Sequence, residues 1–331
     1  MISAPEEENL IVKWLLAESI YYKNKGKPIT YSNGFKWATY TRMQKIIFTV
    51  LDLFDIPITR SWYKWGGFVH SDELNSALTT LRADYSRNPH KIKALRQNVL
   101  RLGIPVEEVQ ASVGNIVDKV ISMPSKEYLP LYYRTETPVE YRDIYISKQE
   151  ISNFCDDLSF AQNPQNILKR YDEIADYITT FHASSSRLIH DERLTDANFS
   201  FTDLLESSLD KLELLNARGE RITKTKLTFF VGAKTVFDDY IWNPYACEIS
   251  QRTVVGLRAD DEREKMKHQE EWLIMHSGSN VNALKEQIED KRLDLSNEDL
   301  QNLKHRIFNQ EETAKTLSEL IGIYSRAKDG E

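Results

Sequence analysis

Cysteine, glycine and proline are scarce in this chain of 331 residues, which has 2 Cys, 12 Gly and 10 Pro. Two cysteines, Cys155 and Cys247, are too few for a disulfide framework or a zinc cluster. So little glycine and proline excludes a collagen-like or low-complexity chain. No apolar run reaches the roughly 20 residues of a membrane helix, because even 46–54 is interrupted by Thr49 and Asp52.

The charge balance is acidic, with 43 Lys and Arg against 50 Asp and Glu and a net charge of −7. A hydrophobic content of 41% is too high for intrinsic disorder. Residues 1–8 are acidic where a signal peptide would be basic and then apolar. We therefore expect a cytoplasmic protein that does not enter a membrane.

Apolar residues recur at three- and four-residue spacing along most of the chain, which predicts a mainly α-helical fold. We expect a multi-helix bundle with a short β-hairpin in the N-terminal unit and a C-terminal antiparallel helical hairpin. The β-hairpin is expected over 58–68, which is rich in β-branched and aromatic residues. Helices are predicted over 8–23, 41–54, 72–81, 88–102, 106–120, 147–158, 163–181 and 201–215.

Residues 123–143 interrupt this pattern with Pro124, Pro130 and Pro138, which predicts an extended crossover and a domain boundary. The expected units are a helical domain over 1–125, a second and mostly helical domain over 126–255, and the helical hairpin over 256–331. The turn expected at 31–34 lies in the first unit. In the second unit, 226–231 fits either a strand or the start of a helix, and Pro244 is expected to end it.

The C-terminal unit has the clearest signals. Ser296 followed by Asp299 resembles a capping box. Apolar residues keep coiled-coil spacing over 281–324, which predicts two helices joined by a short turn. This hairpin either packs on the body of the protein or forms a surface for self-association or a partner.

No catalytic, cofactor-binding or metal-binding residue is predicted. The stretch 232–235 lacks the upstream glycine of a phosphate-binding loop. His268 is followed by two glutamates but has no second histidine at the spacing of a zinc site.

Two stretches could instead bind a macromolecule. The aromatic residues Trp62, Tyr63, Trp65 and Phe68 fall within seven positions, which fits either a core hairpin or a partner-binding surface. The stretch 82–101 is basic and is either ordinary surface charge or a contact for nucleic acid or an acidic protein. Its candidate phosphate contacts are Arg87, Lys91, Lys93 and Arg96.

A series of N-terminal positions resembles the core pattern of the Panacea antitoxin-domain family. The family pattern has a lysine, two aliphatic residues and an aromatic, then a proline step into an extended segment. Asp55 stands where glycine often precedes the proline step, and Gly67 stands where the family has proline. The resemblance covers roughly 8–120, and its quoted positions are 41–48, 52–54, 56–58, 62–66 and Leu74.

The resemblance implies a compact, mostly helical module that neutralises a toxin or acts as an adaptor, and it implies no active site. Our first hypothesis is therefore a non-enzymatic protein-interaction module of a toxin–antitoxin or phage-defence system. One alternative is a nucleic-acid-binding regulator that uses the basic stretch. Another is a defence-type effector enzyme whose site is assembled from scattered residues.

Overall fold

The computed structural model describes residues 3–24, 39–71, 74, 89–122, 124–296 and 298–301. The predicted turn at 31–34, Arg87, nearly all of the predicted helix at 72–81 and the spacing beyond 301 lie outside these residues. The predicted mainly α-helical fold is confirmed, with one small antiparallel hairpin among the described elements. None of the described helices is both long and apolar enough to cross a membrane.

The helices and strands follow one another along the chain with short connections. A 3₁₀ turn over Val139–Tyr141 precedes α6, and a π-helical segment over Phe237–Ile241 joins α11 to α12. The elements are α1 (Ala4–Asn24), α2 (Tyr40–Leu53), β1 (Arg60–Tyr63), β2 (Gly66–Val69), α3 (Pro89–Leu100), α4 (Val106–Ile121), α5 (Ser125–Glu136), α6 (Arg142–Ser159), α7 (Gln165–Leu168), α8 (Tyr171–Ser185), α9 (Glu192–Ala217), α10 (Lys224–Leu227), α11 (Phe229–Val236), α12 (Trp242–Thr253) and α13 (Ala259–Lys291).

The hairpin β1–β2 pairs in a register that runs from Arg60 opposite Val69 to Tyr63 opposite Gly66. Val255, just after α12, forms a further antiparallel bridge with Arg60, with backbone N–O distances of 2.9 and 3.0 Å. The hairpin expected over 58–68 is confirmed. It also receives backbone hydrogen bonds from a segment almost 200 positions away in the sequence.

Helix α2 ends in a left-handed turn that fixes where the chain enters the hairpin. The Ile56 N–H donates to the Leu51 carbonyl at 2.9 Å across Asp55, whose φ is 47°. This is the Schellman arrangement, in which the left-handed position is usually glycine. The position where the Panacea pattern often has glycine thus keeps a glycine-like conformation with an aspartate in place.

The buried side chains form a large continuous cluster that includes residues from α1 through Leu293. Within it, β1 packs on α12, and α12 packs along α13. These contacts cross both expected boundaries, at 125/126 and at 255/256. The division into three units stays a prediction.

The extended crossover expected over 123–143 is wrong, because this segment forms α5, the 3₁₀ turn and the start of α6. Pro124 and Pro138 lie at positions that precede helical turns, where a missing N–H costs little. Pro130 lies inside α5. Burial of Tyr132 and Tyr133 on the same helix compensates for the hydrogen bond that this proline removes.

The second ambiguity resolves as helix, since 226–231 falls within α10 and α11. Pro244 does not end the helix as expected; it is the third residue of α12. The π-helical segment shifts the backbone register just before it. Pro244 consequently sits in a first turn, where proline is tolerated.

The capping box is confirmed. The Ser296 backbone N–H donates to Asp299 Oδ2 at 3.0 Å, and the Asp299 N–H donates to Ser296 Oγ at 3.2 Å. The same carboxylate binds Lys211 and Arg218, at 2.5 and 2.8 Å. The helix that begins here is therefore anchored to α9 at its first turn. Whether 281–324 mediates self-association stays a prediction.

Candidate functional site: the aromatic hairpin and its groove

The β-hairpin is held by side chains that bind the carbonyl groups of its turn and second strand. Lys45 is fully buried and lies in the motif shared with the Panacea pattern. Burial lowers the pKa of Lys45 well below its usual range, and no carboxylate compensates for this. The donations are Tyr145 Oη to the Tyr63 carbonyl at 2.6 Å, Trp242 Nε1 to Lys64 at 2.9 Å, and Lys45 Nζ to Gly67 at 3.0 Å and to Trp65.

The pleat of the hairpin separates the four predicted aromatic residues. Trp62 points toward α2 and α5, where its ring lies 5.6 Å from those of Phe48 and Tyr132. Trp62 is 7% exposed. Tyr63 and Phe68 point to the opposite face and contact each other at 5.5 Å.

Trp65 lies in the turn and covers the ammonium group of Lys148, which is 3.4 Å from the ring centroid. Lys148 is fully buried and forms an ion pair with Asp238 of the π-helical segment, with Nζ and Oδ1 3.1 Å apart. Burial lowers the pKa of Lys148 to about 8, although the carboxylate opposes this shift. The hairpin turn therefore packs on a buried charge pair of the second half of the chain.

A groove of about 530 Å³ opens beside the Trp62 face of the hairpin. Phe48, Trp62 and Tyr132 form its floor, and each is under 10% exposed. The walls come from the end of α2, the end of α5 and the segment after α12. The exposed wall residues include Leu53 and Val255, at 61% and 47% exposure.

The rim of this groove is acidic. Asp52, Asp55 and Glu136 line it, and Arg60 is the single basic residue among the lining side chains. Arg60 Nη2 lies 3.3 Å from Asp52 and 3.8 Å from Asp55. Glu136 accepts from Lys119 at 2.8 Å. The guanidinium is shared between two carboxylates, so the rim keeps an excess of negative charge.

The other face of the hairpin carries a buried polar chain. Ser61 Oγ lies 2.7 Å from His70 Nε2, and His70 Nδ1 lies 3.1 Å from Glu262 Oε2 of α13. The imidazole lowers the pKa of the Glu262 carboxyl, so Glu262 is ionised at neutral pH. The order serine, histidine, carboxylate is that of a nucleophile, a base and an orienting acid.

This chain does not present a nucleophile to a substrate. Ser61 is 1% exposed, and its Oγ is also 2.7 Å from Ser250 Oγ of α12. Phe68 packs on the imidazole of His70 at 5.0 Å. Neighbouring side chains thus occupy the space that an attacked carbonyl would need. The arrangement joins the hairpin to α12 and α13.

A second buried contact ties α1 to the same region. Glu8 is fully buried, accepts from the Thr59 N–H at 2.8 Å and binds Arg258 Nε at 2.6 Å. Arg258 also donates from Nη2 to the His70 carbonyl at 2.7 Å. The first helix, the hairpin and the start of α13 are therefore joined by one buried ion pair.

The candidate phosphate contacts lie elsewhere, on α3. Arg96 donates from Nε and Nη2 to both carboxylate oxygens of Glu18, at 2.5 and 2.9 Å. Lys91 and Lys93 occupy exposed positions, and Arg87 is outside the described residues. The structure therefore shows one of the four proposed contacts neutralised by a carboxylate.

Sequence reasoning missed Glu8, Ser61, His70, Arg258 and Glu262. Their partners are separated by up to 250 positions, so no local spacing indicates them. Among the described residues, no three His, Cys, Asp or Glu side chains meet as metal ligands would.

Comparison with known families assigns the chain by sequence. The family described as "Domain of unknown function (DUF8098)" matches residues 4–321, which include the hairpin, the groove and the buried polar chain. The chain belongs to the DUF8098 family. No curated protein and no solved structure matches it. The DUF8098 match carries no link to Panacea antitoxins, so that resemblance stays a hypothesis.

Proposed function

We propose that this DUF8098 protein is a non-enzymatic protein-interaction module, antitoxin-like or adaptor-like, that binds a partner through the groove beside the hairpin. The observation that carries the proposal is an open groove whose aromatic floor is already fixed. Phe48, Trp62 and Tyr132 pack against one another without a ligand. A preformed floor saves the ordering cost that weakens many interfaces.

The surroundings of the groove support a protein as the occupant. Exposed Leu53 and Val255 add apolar area next to the buried aromatic floor. An apolar centre with a charged rim is the usual anatomy of a protein interface. The acidic rim disfavours a phosphate backbone, which makes nucleic acid the weaker candidate for this surface.

The resemblance to Panacea antitoxins supports a toxin as one kind of partner, in a toxin–antitoxin or phage-defence setting. Cys155 and Cys247 are both free and buried, which suits the reducing cytoplasm that we propose as its location. Burial raises the pKa of each thiol to about 12, so neither is an activated nucleophile.

Capture from native cells tests the proposal. The chain would be cross-linked in its own cells, and proteins bound to it would be quantified by mass spectrometry. Leu53→Arg places a long charged side chain on the groove wall without touching the core. We expect this variant to lose at least about 90% of one specific partner, since single interface positions can cost 1–2 kcal/mol or more.

The matched control is Leu100→Arg, because Leu100 is also 61% exposed but lies on α3. A second variant, Trp65→Ala with Phe68→Ala, probes the hairpin directly, with circular dichroism to verify folding. Equal capture by wild type and Leu53→Arg would refute the groove as the binding surface. Loss with both arginine variants would indicate a general charge effect instead.

A further inference from the structure

We propose that the groove takes a basic side chain of the partner, an arginine or lysine within an apolar segment. This rests on the proposed function and specifies the partner's docking element. The side chain's methylenes would pack on the floor formed by Trp62 and Tyr132. Its cationic head would meet the carboxylates of Asp52 and Asp55 at the rim. Long basic side chains combine an apolar stem and a charged head in this way.

The first support is the charge of the rim. Arg60 is 5% exposed and is fixed from behind, because its Nη1 donates to the carbonyls of Ile56 and Ile58 at 2.9 and 3.4 Å. Its position leaves the solvent side of the Asp52 and Asp55 carboxylates open. The side chains of Asp52 and Asp55 are 65% and 102% exposed, so an incoming cation reaches them without displacing protein atoms.

The second support is independent of charge, and it is the backbone of Asp55. Its φ of 47° lies in the left-handed region, where a residue with a side chain costs roughly 1 kcal/mol relative to glycine. The fully exposed carboxylate forms no contact shorter than the 3.8 Å to Arg60 that could repay this cost. Local strain of this kind concentrates at sites that bind something. A carboxylate held there fits the rim's role in recognition.

The floor supplies the apolar part of the site. Tyr132 stacks on Trp62 with an interplanar angle of 28°, which leaves a continuous aromatic wall along the groove. Leu53 and Val255 extend the apolar area to either side. A segment with apolar residues flanking one basic residue therefore matches both the floor and the rim.

The test uses three capped tripeptides, Leu-Arg-Leu, Leu-Lys-Leu and Leu-Glu-Leu, added to the full-length protein. Binding is followed by NMR at the indole N–H of Trp62, whose resonance is assigned by its loss in Trp62→Phe. We expect saturable shifts with the two basic peptides and none with Leu-Glu-Leu. Removing one rim carboxylate should weaken binding about two- to fivefold, as single exposed charge pairs do.

Two variants at one position separate charge from backbone strain. Asp55→Asn removes the charge and still tolerates the left-handed conformation, whereas Asp55→Gly removes both charge and strain. Both should weaken the basic peptides to the same extent, while Asp55→Gly keeps or raises the thermal midpoint. The matched control is Asp196→Asn, an exposed carboxylate on α9 away from the groove, which should leave binding unchanged.

Binding of Leu-Glu-Leu equal to that of Leu-Arg-Leu, or no shift at Trp62 with any peptide, would overturn this inference. So would unchanged affinity in Asp55→Asn. The proposed function is judged separately, by the loss of a captured partner in Leu53→Arg. A groove that captures a partner while ignoring basic peptides would keep the function and refute the docking chemistry.

Discussion

Arg258 provides the sharpest test of how the two ends of the chain are joined. Its guanidinium is the cationic partner of Glu8, whose side chain is fully buried. We expect Arg258→Met to lower the free energy of unfolding by about 3–5 kcal/mol, because it leaves a buried carboxylate without its counter-ion. A protein of typical stability, about 5–15 kcal/mol, would lose a large share of it.

A second substitution reverses the expected sign. Glu8→Gln alone should cost about 1–2 kcal/mol, since the amide oxygen can still accept from the Thr59 N–H. In the Arg258→Met background, Glu8→Gln removes a charge that no longer has a partner. The double variant should therefore be more stable than Arg258→Met alone, by about 2 kcal/mol.

Urea unfolding followed by tryptophan fluorescence and far-ultraviolet circular dichroism measures these values. The control is Arg263→Met, which breaks an exposed pair with Asp260 on the same helix and should cost under about 0.5 kcal/mol. A cost below about 1 kcal/mol for Arg258→Met would refute the reasoning. So would a double variant no more stable than Arg258→Met.

Three further perturbations follow from the same contacts. Gly67→Ala should destabilise the fold by about 2 kcal/mol in urea unfolding, because the added Cβ would lie 2.5 Å from the ring of Phe48. Burial, together with Glu248, raises the pKa of Glu270 to about 7, so wild type loses stability between about pH 4.5 and 7 as the unfolded carboxyl ionises first. Glu270→Gln should remove that loss and be about 1–2 kcal/mol more stable at pH 8 but not at pH 4, after allowance for partial exposure. The lowered pKa of Lys148 has the opposite consequence, since the unfolded chain keeps a proton that the folded one has lost. Wild type should therefore gain stability between about pH 8 and 10.5 relative to Lys148→Met, a difference that urea midpoints at pH 7.5 and 10 would show.

Features of the fold that depend on neighbouring residues were predictable from the sequence. The capping box at Ser296 and the start of α3 after 88–89 need only a few positions each. The hairpin was predictable because β-branched and aromatic residues are concentrated there. The prolines of 123–143 misled the prediction because the tyrosines of α5 gain more from burial than Pro130 costs.

The site itself was only partly predictable. The aromatic cluster was visible, but the pleat that sends Trp62 to the groove and Phe68 to the opposite face depends on exact strand register. The contact between Ser61 and Ser250 joins positions 189 residues apart. Such pairs arise from packing of whole helices, and a single sequence contains no local pattern that reports them.

Photo-cross-linking in native cells tests the central claim most directly. A photoreactive amino acid would be introduced at position 53 on the groove wall, or at position 100 on α3 as the control. We predict that the probe at position 53 forms a covalent adduct with one protein and that the probe at position 100 does not. No adduct at position 53, or the same adducts at both positions, would contradict the groove as the partner-binding surface.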